Sequence, residues 1–364
     1  MAGIYIHIPF CASRCIYCGF YSTTRHELRQ RYVDALCKEW LLRRDYIKEE
    51  RIHTIYLGGG TPSQLTAAQL QQLFDAVGTA QEVTMECNPD DVSEPFAQLL
   101  RRLPVNRVSM GVQTFSDDRL RFLHRRHTSH QIAVAVNRLR HAGIGNISID
   151  LMYGFPDETL DSWHRDIDAA LSLDVEHLSA YSLMYEEGTP LHSLLERGRV
   201  TPCDEELELQ MYADLIDRLA AAGYEQYEIS NFARPGCRSR HNSSYWHGVP
   251  YLGLGAAAHS FDGHSRQWNV DDLEQYMTGV EQEQLVVERE EQDDTIRYNE
   301  AVMTSLRTRE GLLLAALQPG KAQYCLSQAQ RFLDDGMLVQ ADGRLRLTRK
   351  GLFVSNMVMS ALMI

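Results

Sequence analysis

Three cysteines near the start of the chain, Cys11, Cys15 and Cys18, have the spacing C-x3-C-x2-C. Such short gaps let three thiolates converge on one small inorganic body without a long loop to order. A structural zinc ion takes four protein ligands, and an iron–sulfur cluster that only transfers electrons usually takes four cysteines. Three sulfurs therefore favour a [4Fe-4S] cubane in which one iron stays open to another ligand. A zinc site completed by His7 or by a distant cysteine is the alternative.

A run of three glycines, Gly58, Gly59 and Gly60, is followed by Thr61 and Pro62. Glycine lacks a Cβ, so a ligand can lie against this backbone and use its N–H and C=O groups. A flexible turn without a ligand is the simpler interpretation. The run ends the next predicted strand after the one that precedes the cysteines, and this position favours a ligand site.

Polar side chains occupy the ends of the next three predicted strands: Glu86, Gln113 and Asp150. Because side chains alternate along a strand, one residue of each neighbouring pair there points into the interior. Polar groups buried in that way cost free energy unless a polar ligand pairs with them. Any one of the three is compatible with a solvated strand end, whereas three at matching ends indicate a shared polar ligand.

The elements that must position these residues are about six strand-then-helix units. Apolar periodicity predicts the strands Ile4–Ile8, Ile52–Leu57, Val83–Cys87, Arg107–Gln113, Ile147–Tyr153 and His177–Leu183. This alternation predicts parallel strands with crossover helices. Six units are too few for a closed eight-stranded barrel, so we expect an α/β fold built on a partial, TIM-like (β/α)6 barrel with its ligand at the C-terminal ends of the strands. A doubly wound sheet is the alternative, but no G-x-G-x-x-G motif follows the first strand.

Beyond residue 185 the alternation stops, and three domains are predicted: the partial barrel 1–185, a barrel extension 186–290 and a C-terminal module 291–364. In and beside the extension we expect a helix at Glu205–Ala222, one added strand at Tyr227–Phe232 and a solvated acidic boundary at Glu281–Asp294. The module has predicted helices followed by a hairpin with Asp342 and Gly343 at its turn, and it resembles a winged helix.

Composition limits the classes of function. The chain has 364 residues and a net charge of −13, which disfavours binding to nucleic acid or to anionic lipid because both require a basic surface. A DNA-binding module would depend on four basic residues, Arg344, Arg346, Arg349 and Lys350. Eight cysteines in a chain this long are not a disulfide framework, and the sequence has no apolar run of ~18–20 residues. With no signal peptide before the first strand, we expect a cytoplasmic protein.

The cysteine segment resembles the radical S-adenosylmethionine (SAM) superfamily. Its string IHIPFCxxxCxYC, from Ile6 to Cys18, is closer still to the branch of the anaerobic coproporphyrinogen oxidases and the HemW haem chaperones. In that superfamily SAM chelates the open iron through its amino and carboxylate groups, so the resemblance implies SAM as a second cofactor. It also implies that Tyr5 and Tyr17 flank SAM and that the GGGTP run contacts the SAM amino group.

The same resemblance assigns further residues to SAM: Glu86, Gln113, Arg125, Asp150 and Met184. Arg125 would face the SAM carboxylate. The alternative for Arg125 is a solvated charge on a helix, and the alternative for Met184 is a place in the core.

His241 begins the segment H-N-x-x-Y-W, which resembles the signature of the HemW family. In that family the histidine is the expected contact for haem iron. Imidazole is a good axial ligand, and Tyr245 and Trp246 offer flat faces for a porphyrin. A hydrogen-bonded structural histidine is the alternative for His241, and His247 and His259 are secondary candidates for the iron.

Two departures from the oxidases favour the chaperone family. The oxidases carry a fourth cysteine two residues after the third, where this chain has Phe20, and they carry an N-terminal extension before the first strand. The resemblance therefore implies a haem chaperone that binds haem, a [4Fe-4S] cluster and SAM. It would transfer haem to apo-haemoproteins such as respiratory enzymes. A homodimer and a transient membrane-protein partner are further expectations, and nucleic acid is not.

Two enzyme hypotheses stand beside the chaperone. One is oxygen-independent oxidation of coproporphyrinogen III, a radical SAM oxidative decarboxylation. The other is a related radical SAM enzyme that modifies or degrades haem. The sequence assigns no catalytic residue for either reaction.

Overall fold

Parallel strands form the centre of the protein, whose computed structural model describes residues 1–47 and 51–364. In this described chain the central strands are β1 Ala2–Ile8, β2 Ile52–Gly59, β3 Glu82–Cys87, β4 Arg107–Gln113, β5 Asn146–Tyr153 and β6 His177–Ser182. Most of their residues are buried, as expected for a parallel sheet covered by crossover helices. All of them agree with the predicted strands to within two residues at each end.

Helices connect these strands as crossovers. They are α1 Arg29–Arg43, α2 Ala67–Val77, α3 Glu94–Leu100, α4 Asp117–Phe122, α5 Ser129–His141 and α6 Leu160–Ser172. Polar caps set where they begin, since Thr66 accepts a hydrogen bond from the Gln69 N–H and Thr159 accepts one from the Ser162 N–H. The caps hold the loops short at the carboxyl edge of the sheet.

The extension adds helices and strands on both sides of this centre. Its elements are α7 Pro190–Glu196, α8 Glu205–Ala221, β7 Glu225–Glu228, β8 Asn231–Ala233, α9 Arg240–Trp246, β9 Tyr251–Leu254, β10 His259–Phe261, β11 Ser265–Asn269, α10 Leu273–Glu281 and β12 Val287–Glu291. Within the described residues, twelve strands form one sheet in the order β12-β11-β10-β9-β1-β2-β3-β4-β5-β6-β8-β7. The parallel run from β1 to β6 is the predicted partial (β/α)6 barrel, and the flanking strands widen it without closing it.

One predicted element of the extension was wrong, and another was incomplete. The single strand expected over Tyr227–Phe232 is a pair of short antiparallel strands, β7 and β8, with a turn between them. The acidic stretch is solvated as expected, since four of the five residues of β12 are exposed, but it also forms a strand that pairs with β11. In both cases the strands exist through backbone pairing, of β8 with β7 and β6 and of β12 with β11, and local periodicity does not report such pairing.

The C-terminal residues form a module with an apolar core of its own, which includes Val302, Phe332, Leu345 and Leu362. Its elements are α11 Asp294–Leu306, β13 Leu312–Leu313, α12 Pro319–Asp334, β14 Leu338–Ala341, β15 Arg344–Leu347, α13 Arg349–Leu352 and α14 Ser355–Leu362. The order helix, strand, helix, hairpin, with the sheet order β13-β15-β14, is that of the predicted winged-helix-like module.

No helix among the described residues is both long enough and apolar enough to cross a membrane.

Candidate cofactor cavity

The loop after β1 brings the three cysteines to the carboxyl edge of the sheet. Cys11, Cys15 and Cys18 line one cavity of about 630 Å³, which we call the cysteine cavity. The loop is tied down by backbone hydrogen bonds, from the Cys11 N–H to the Thr23 carbonyl oxygen at 2.9 Å and from the Ile16 N–H to the Leu123 carbonyl oxygen at 3.3 Å. The three thiols therefore face one volume from a loop anchored at several points.

The surroundings of the thiols fit a cluster. The Arg125 guanidinium lies with Nη1 3.5 Å from Cys15 Sγ, and Thr61 Oγ1 donates to Cys11 Sγ at 3.6 Å. Burial raises the pKa of Cys11, so a metal or a cation must favour its thiolate. No three His, Cys, Asp or Glu side chains in residues 1–47 and 51–364 are arranged to share one metal ion. A cubane gives each cysteine a separate iron, so this donor set fits a cluster better than a single zinc ion.

Polar side chains from three adjacent strands form the opposite wall. Glu86 from β3, Gln113 from β4 and Asp150 from β5 all line the cysteine cavity. Glu86 is the last residue but one of its strand and Gln113 is the last, whereas Asp150 lies in the middle of β5, not at its end as predicted. The structure still brings the three together because the strands are staggered along the twisted sheet.

Glu86 is held in place inside the barrel by its neighbours. It accepts hydrogen bonds from the Tyr56 hydroxyl at 2.7 Å and from the Gly59 N–H at 3.1 Å. Desolvation, with a contribution from the negative charge of Asp150, raises the pKa of Glu86 to about 7. Desolvation also raises the pKa of Asp150. Both carboxyl groups are therefore poised for a ligand that carries positive charge or hydroxyl donors.

Gln113 has a strained backbone. Its φ of 69° lies in the left-handed region, and the register between β4 and β5 shifts at this point. A Cβ at Gly111 would lie 2.9 Å from Gln113 Nε2 and 3.1 Å from Arg125 Nη2. Gly111 therefore lets both side chains pack over the strand end, and such strain is typical of ligand sites.

The glycine run has a second reason for its composition besides the predicted one. Gly59 and Gly60 line the cysteine cavity with Thr61, and Gly58 does not. A Cβ at Gly58 would meet Glu86 Cδ at 2.9 Å, and one at Gly59 would meet His7 at 2.3 Å. The missing Cβ atoms thus make room for side chains of the protein that shape the cavity, as well as for a ligand.

The remaining predicted SAM residues fall in different places. Tyr17 and Met184 line the cysteine cavity, with Met184 59% exposed just after β6. Arg125 lies on the cavity wall in the loop between α4 and α5, with Nη2 2.6 Å from Asn88 Oδ1. Tyr5 does not line this cavity. Its side chain faces a second cavity, and its hydroxyl bonds to His7 Nδ1 at 3.0 Å.

His241 does not line either cavity. It is buried on α9, where Nδ1 bonds to Thr54 Oγ1 at 2.8 Å and Nε2 bonds to the Tyr245 hydroxyl at 2.8 Å. Its ring stacks on Tyr56 with centroids 5.1 Å apart. Desolvation, with help from Arg107, lowers the pKa of His241 to about 3. In this conformation neither ring nitrogen is free to bind iron. His241 is here a hydrogen-bonded structural histidine, the alternative that the sequence left open.

Several cavity residues were missed by the sequence analysis. Asn88, Ser109 and Ser179 line the cysteine cavity with the predicted residues. Ser109 Oγ donates to Asp150 Oδ1 at 3.5 Å, and Ser179 pairs in register with Asp150 on the adjacent strand. The alternation rule that selected Asp150 would also have selected Ser179, but a small uncharged side chain costs less to bury than a carboxylate and carries a weaker signal.

A second cavity, of about 1020 Å³, lies between the barrel extension and the C-terminal module. Aromatic side chains line much of it, including Tyr5, Tyr245, Trp246 and Phe261, and we call it the aromatic cavity. Phe20 lines both cavities and is 70% exposed. The two cavities are therefore neighbours on either side of this side chain.

Known proteins share this fold and this cysteine loop. A family model described as the radical SAM superfamily matches residues 5–170, and one described as the HemN C-terminal domain matches residues 293–354. The solved structure of coproporphyrinogen III oxidase HemN from Escherichia coli has a TM-score of 0.83 at 23% identity, covering 99% of this chain and 89% of that chain. That likeness shows the fold. The radical SAM model spans the cysteine loop and the parallel strands up to β5.

Relatives with the name Heme chaperone HemW narrow the assignment. The one from Mycobacterium tuberculosis (strain ATCC 25618 / H37Rv) is 35% identical, over 99% of this chain and 94% of that protein. The one from Bacillus subtilis (strain 168) is 39% identical, over 76% of this chain and 75% of that protein. The one from Escherichia coli (strain K12) is 36% identical, over 71% of this chain and 69% of that protein. The chain belongs to the HemW family.

Proposed function

We propose that this protein is a haem chaperone, which binds haem and transfers it to apo-haemoproteins. The observation that carries the proposal is the match over 99% of the chain to relatives named Heme chaperone HemW. The likeness to coproporphyrinogen III oxidase HemN has 23% identity and concerns the fold, so it does not favour the oxidase. Function follows the site more than the fold in such superfamilies.

In this proposal Cys11, Cys15 and Cys18 hold a [4Fe-4S] cluster. When bound, the cluster supplies an iron with an open coordination position for the amino and carboxylate groups of SAM. Arg125 lies 3.5 Å from Cys15 Sγ, so its charge offsets that of the thiolates. The Thr61 hydroxyl, which donates to Cys11 Sγ at 3.6 Å, stabilises the same negative charge.

The polar wall would orient SAM. Glu86, Gln113 and Asp150 line the cysteine cavity, where their oxygens would accept hydrogen bonds from the hydroxyl and ammonium groups of SAM. A nearby cation favours an ionised carboxylate, so SAM binding would lower the pKa of Glu86 from its raised value of about 7. Tyr17 and Met184 line the same cavity and would cover the cofactor's apolar parts.

His241 would have a positioning role. An iron bond at His241 would require the loss of its hydrogen bond to Thr54 or to Tyr245, each 2.8 Å long. We propose instead that His241 orients the Tyr245 ring, which lines the aromatic cavity. The position of His241 in the H-N-x-x-Y-W segment would then affect haem binding through the shape of the aromatic cavity.

The finer parts of the proposal concern partners and location. The acceptors would include respiratory enzymes, some of them reached by transient contact with a membrane protein, and the chaperone would act in the cytoplasm as a homodimer. Its net charge of −13 supports a role without nucleic acid, because an acidic surface repels phosphate. Chemical crosslinking with and without a cluster tests the dimer.

One experiment separates the chaperone from the enzymes. The cluster is reconstituted without oxygen, and SAM and a reductant are supplied with either haem or coproporphyrinogen III. We expect haem to be captured intact and passed to an apo-haemoprotein, measured by absorbance of the acceptor. Formation of protoporphyrinogen, or a changed macrocycle, would contradict the chaperone.

Replacing the cysteines tests the cluster ligands. Cys15→Ser removes a thiolate that lines the cysteine cavity, and we expect it to lose most of the bound iron and sulfide, because serine does not replace a thiolate on iron. Cys237→Ser is the matched control, since Cys237 lies outside that cavity. Equal iron and sulfide contents in the two variants would exclude Cys15 as a ligand.

A further inference from the structure

The turn at the end of β4 holds Gln113 in a strained backbone conformation. The Thr114 N–H donates to the Val112 carbonyl oxygen at 2.9 Å across Gln113, whose φ is 69°. A hydrogen bond that spans a single residue with positive φ defines a γ-turn of the rare, strained kind. The turn lies at the wall of the cysteine cavity, which Gln113 lines. Strain of this kind persists only where neighbouring groups hold the backbone in place.

Asp166, on helix α6, binds the residues that follow Gln113. Its Oδ2 accepts from the Thr114 hydroxyl at 2.6 Å, and its Oδ1 accepts from the Phe115 N–H at 3.0 Å. The Ser116 N–H donates in turn to Thr114 Oγ1 at 3.1 Å. Asp166 is 3% exposed and Thr114 is fully buried. Loss of any of these hydrogen bonds would therefore leave a buried polar group without a partner.

A second side chain binds the residue that precedes Gln113. His127, between α4 and α5, is buried, and its Nε2 donates to the Val112 carbonyl oxygen at 3.1 Å. This is the same oxygen that closes the γ-turn. Like Asp166 and Thr114, His127 does not line the cysteine cavity. The backbone on both sides of Gln113 is therefore fixed by side chains that lie outside the cavity.

An ion-pair cluster ties this turn to the end of β5. Arg119, on α4, lies 2.7 Å from Glu158 Oε1 and 3.7 Å from Asp166 Oδ2. Glu158 Oε2 accepts from the N–H groups of Gly154 and Phe155, at 2.7 and 3.0 Å, directly after β5. Both β4 and β5 supply side chains to the cysteine cavity. The cluster therefore fixes the ends of two cavity strands relative to each other.

We propose that Asp166 and Thr114 are positioning residues for SAM, because they hold the γ-turn that places Gln113 on the wall of the cysteine cavity. The proposal rests on the proposed function, in which Gln113 contacts SAM. Neither Asp166 nor Thr114 touches the cofactor. Their effect on SAM binding passes through Gln113, so it disappears when the Gln113 side chain is removed.

Replacement of Thr114 by a residue of the same shape tests its hydroxyl. Thr114→Val leaves Asp166 Oδ2 and the Ser116 N–H without this partner. SAM binding is measured by equilibrium dialysis of the full-length protein with a reconstituted, oxidised cluster and no reductant. We expect SAM to bind about tenfold more weakly, with iron and sulfide contents unchanged. Thr114→Ser keeps the hydroxyl and should restore the affinity to within about twofold.

Thr348→Val is the matched control. Thr348, in the C-terminal module, also donates one hydrogen bond, to the Gly336 carbonyl oxygen at 2.7 Å, and accepts one, from the Gly351 N–H at 3.2 Å. We expect both valine variants to lower the urea midpoint of the cofactor-free protein, and only Thr114→Val to weaken SAM binding. Equal SAM affinity of Thr114→Val and the unaltered protein would overturn the proposal, since Thr114 would then serve stability alone.

A double-mutant cycle shows whether the effect passes through Gln113. Gln113→Ala should weaken SAM binding, and adding Thr114→Val to it should change the affinity by less than about twofold. Losses that add up in the double variant would overturn the proposal. Asp166→Ala should behave as Thr114→Val does, with and without Gln113→Ala.

The outcomes separate the positioning role from the function. If the unaltered protein with its cluster binds no SAM, the proposed cofactor site and the positioning role fail together. If it binds SAM, but Gln113→Ala keeps the same affinity, the positioning role is wrong and the chaperone function stands. A failure to capture haem, with the cycle as expected, would overturn the chaperone function and leave the positioning role in place.

Discussion

Glu86 is a single residue whose protonation depends on its desolvation in the cysteine cavity. Desolvation raises its pKa to about 7 from an ordinary value of 4.5. The folded state therefore binds this proton more tightly than the unfolded state does. It follows that the free energy of unfolding falls as pH rises from 4.5 to about 7, because the carboxylate ionises more readily in the unfolded chain.

We expect Glu86→Gln to remove this loss of stability at rising pH. Without cofactors and above pH 7, the variant should be more stable than the unaltered protein by about 1–3 kcal/mol, and the difference should vanish near pH 4. The measurement is urea unfolding across this pH range. The same substitution should weaken SAM binding, since it removes a negative charge from the cavity.

Glu290→Gln is the control for this prediction, because Glu290 is exposed on β12. It should leave both stability and SAM affinity unchanged. A pH dependence of Glu86→Gln that matches the unaltered protein would show that the Glu86 carboxyl is not the group that titrates.

At the scale of elements, helix α1 is joined to the extension by hydrogen bonds from a buried ion pair within the helix, Glu39 with Arg43. Glu39 is fully buried and accepts hydrogen bonds from Arg43 Nη1 at 2.8 Å and from the Tyr276 hydroxyl at 2.7 Å. It also accepts from Asn269 Nδ2 at 2.8 Å and from the Gly255 N–H at 2.8 Å. One carboxylate thus holds α1, α10 and the strand β11 in place beside β1, the strand that leads into the cysteine loop.

Removing the charge of Glu39 should destabilise the folded protein. Glu39→Gln leaves the buried Arg43 without its carboxylate, so we expect the free energy of unfolding to fall by about 3–5 kcal/mol. Denaturant unfolding measures the change. Asp34→Asn, at an exposed position on the same helix, should shift it by less than about 0.5 kcal/mol, and an equally small effect of Glu39→Gln would show that the network does not anchor α1.

At the scale of the whole molecule, the C-terminal module docks on the barrel extension next to the aromatic cavity. Arg307 pairs with the buried Glu228 at 3.2 Å, and its guanidinium lies 4.8 Å from the centre of the Trp246 ring. The Ile229 N–H also donates to the Arg307 carbonyl oxygen at 3.1 Å. The docking therefore fixes a wall of the aromatic cavity as well as the position of the module.

We expect Arg307→Met to loosen this docking. The variant keeps the length of the side chain but leaves Glu228 without a cation, which should lower the free energy of unfolding by about 2 kcal/mol. Haem affinity should fall with it, while iron and sulfide contents stay the same. Thermal unfolding and haem titration measure the two effects. Arg331→Met, at an exposed position of α12, is the control. Unchanged haem affinity would show that the docking of the module does not contribute to haem binding.

Much of the barrel was predictable, because residues close together in the chain specify its strands and helices. The strand β4, Arg107–Gln113, matches the predicted bounds residue for residue, since apolar periodicity operates over a few positions. Glu86 and Gln113 were also found from alternation. The β7–β8 pair and β12 were missed because each exists through pairing with another strand.

The amino-acid sequence by itself determined the family, the order of the barrel units and the trio of cysteines, since these depend on residue type and spacing along the chain. Only the tertiary structure decided that Tyr5 faces the aromatic cavity and that both nitrogens of His241 are bonded. The physical reason is that the partners lie far away in the chain. Thr54, which bonds to His241, is 187 residues distant, and no local pattern reports which groups will meet across a folded core.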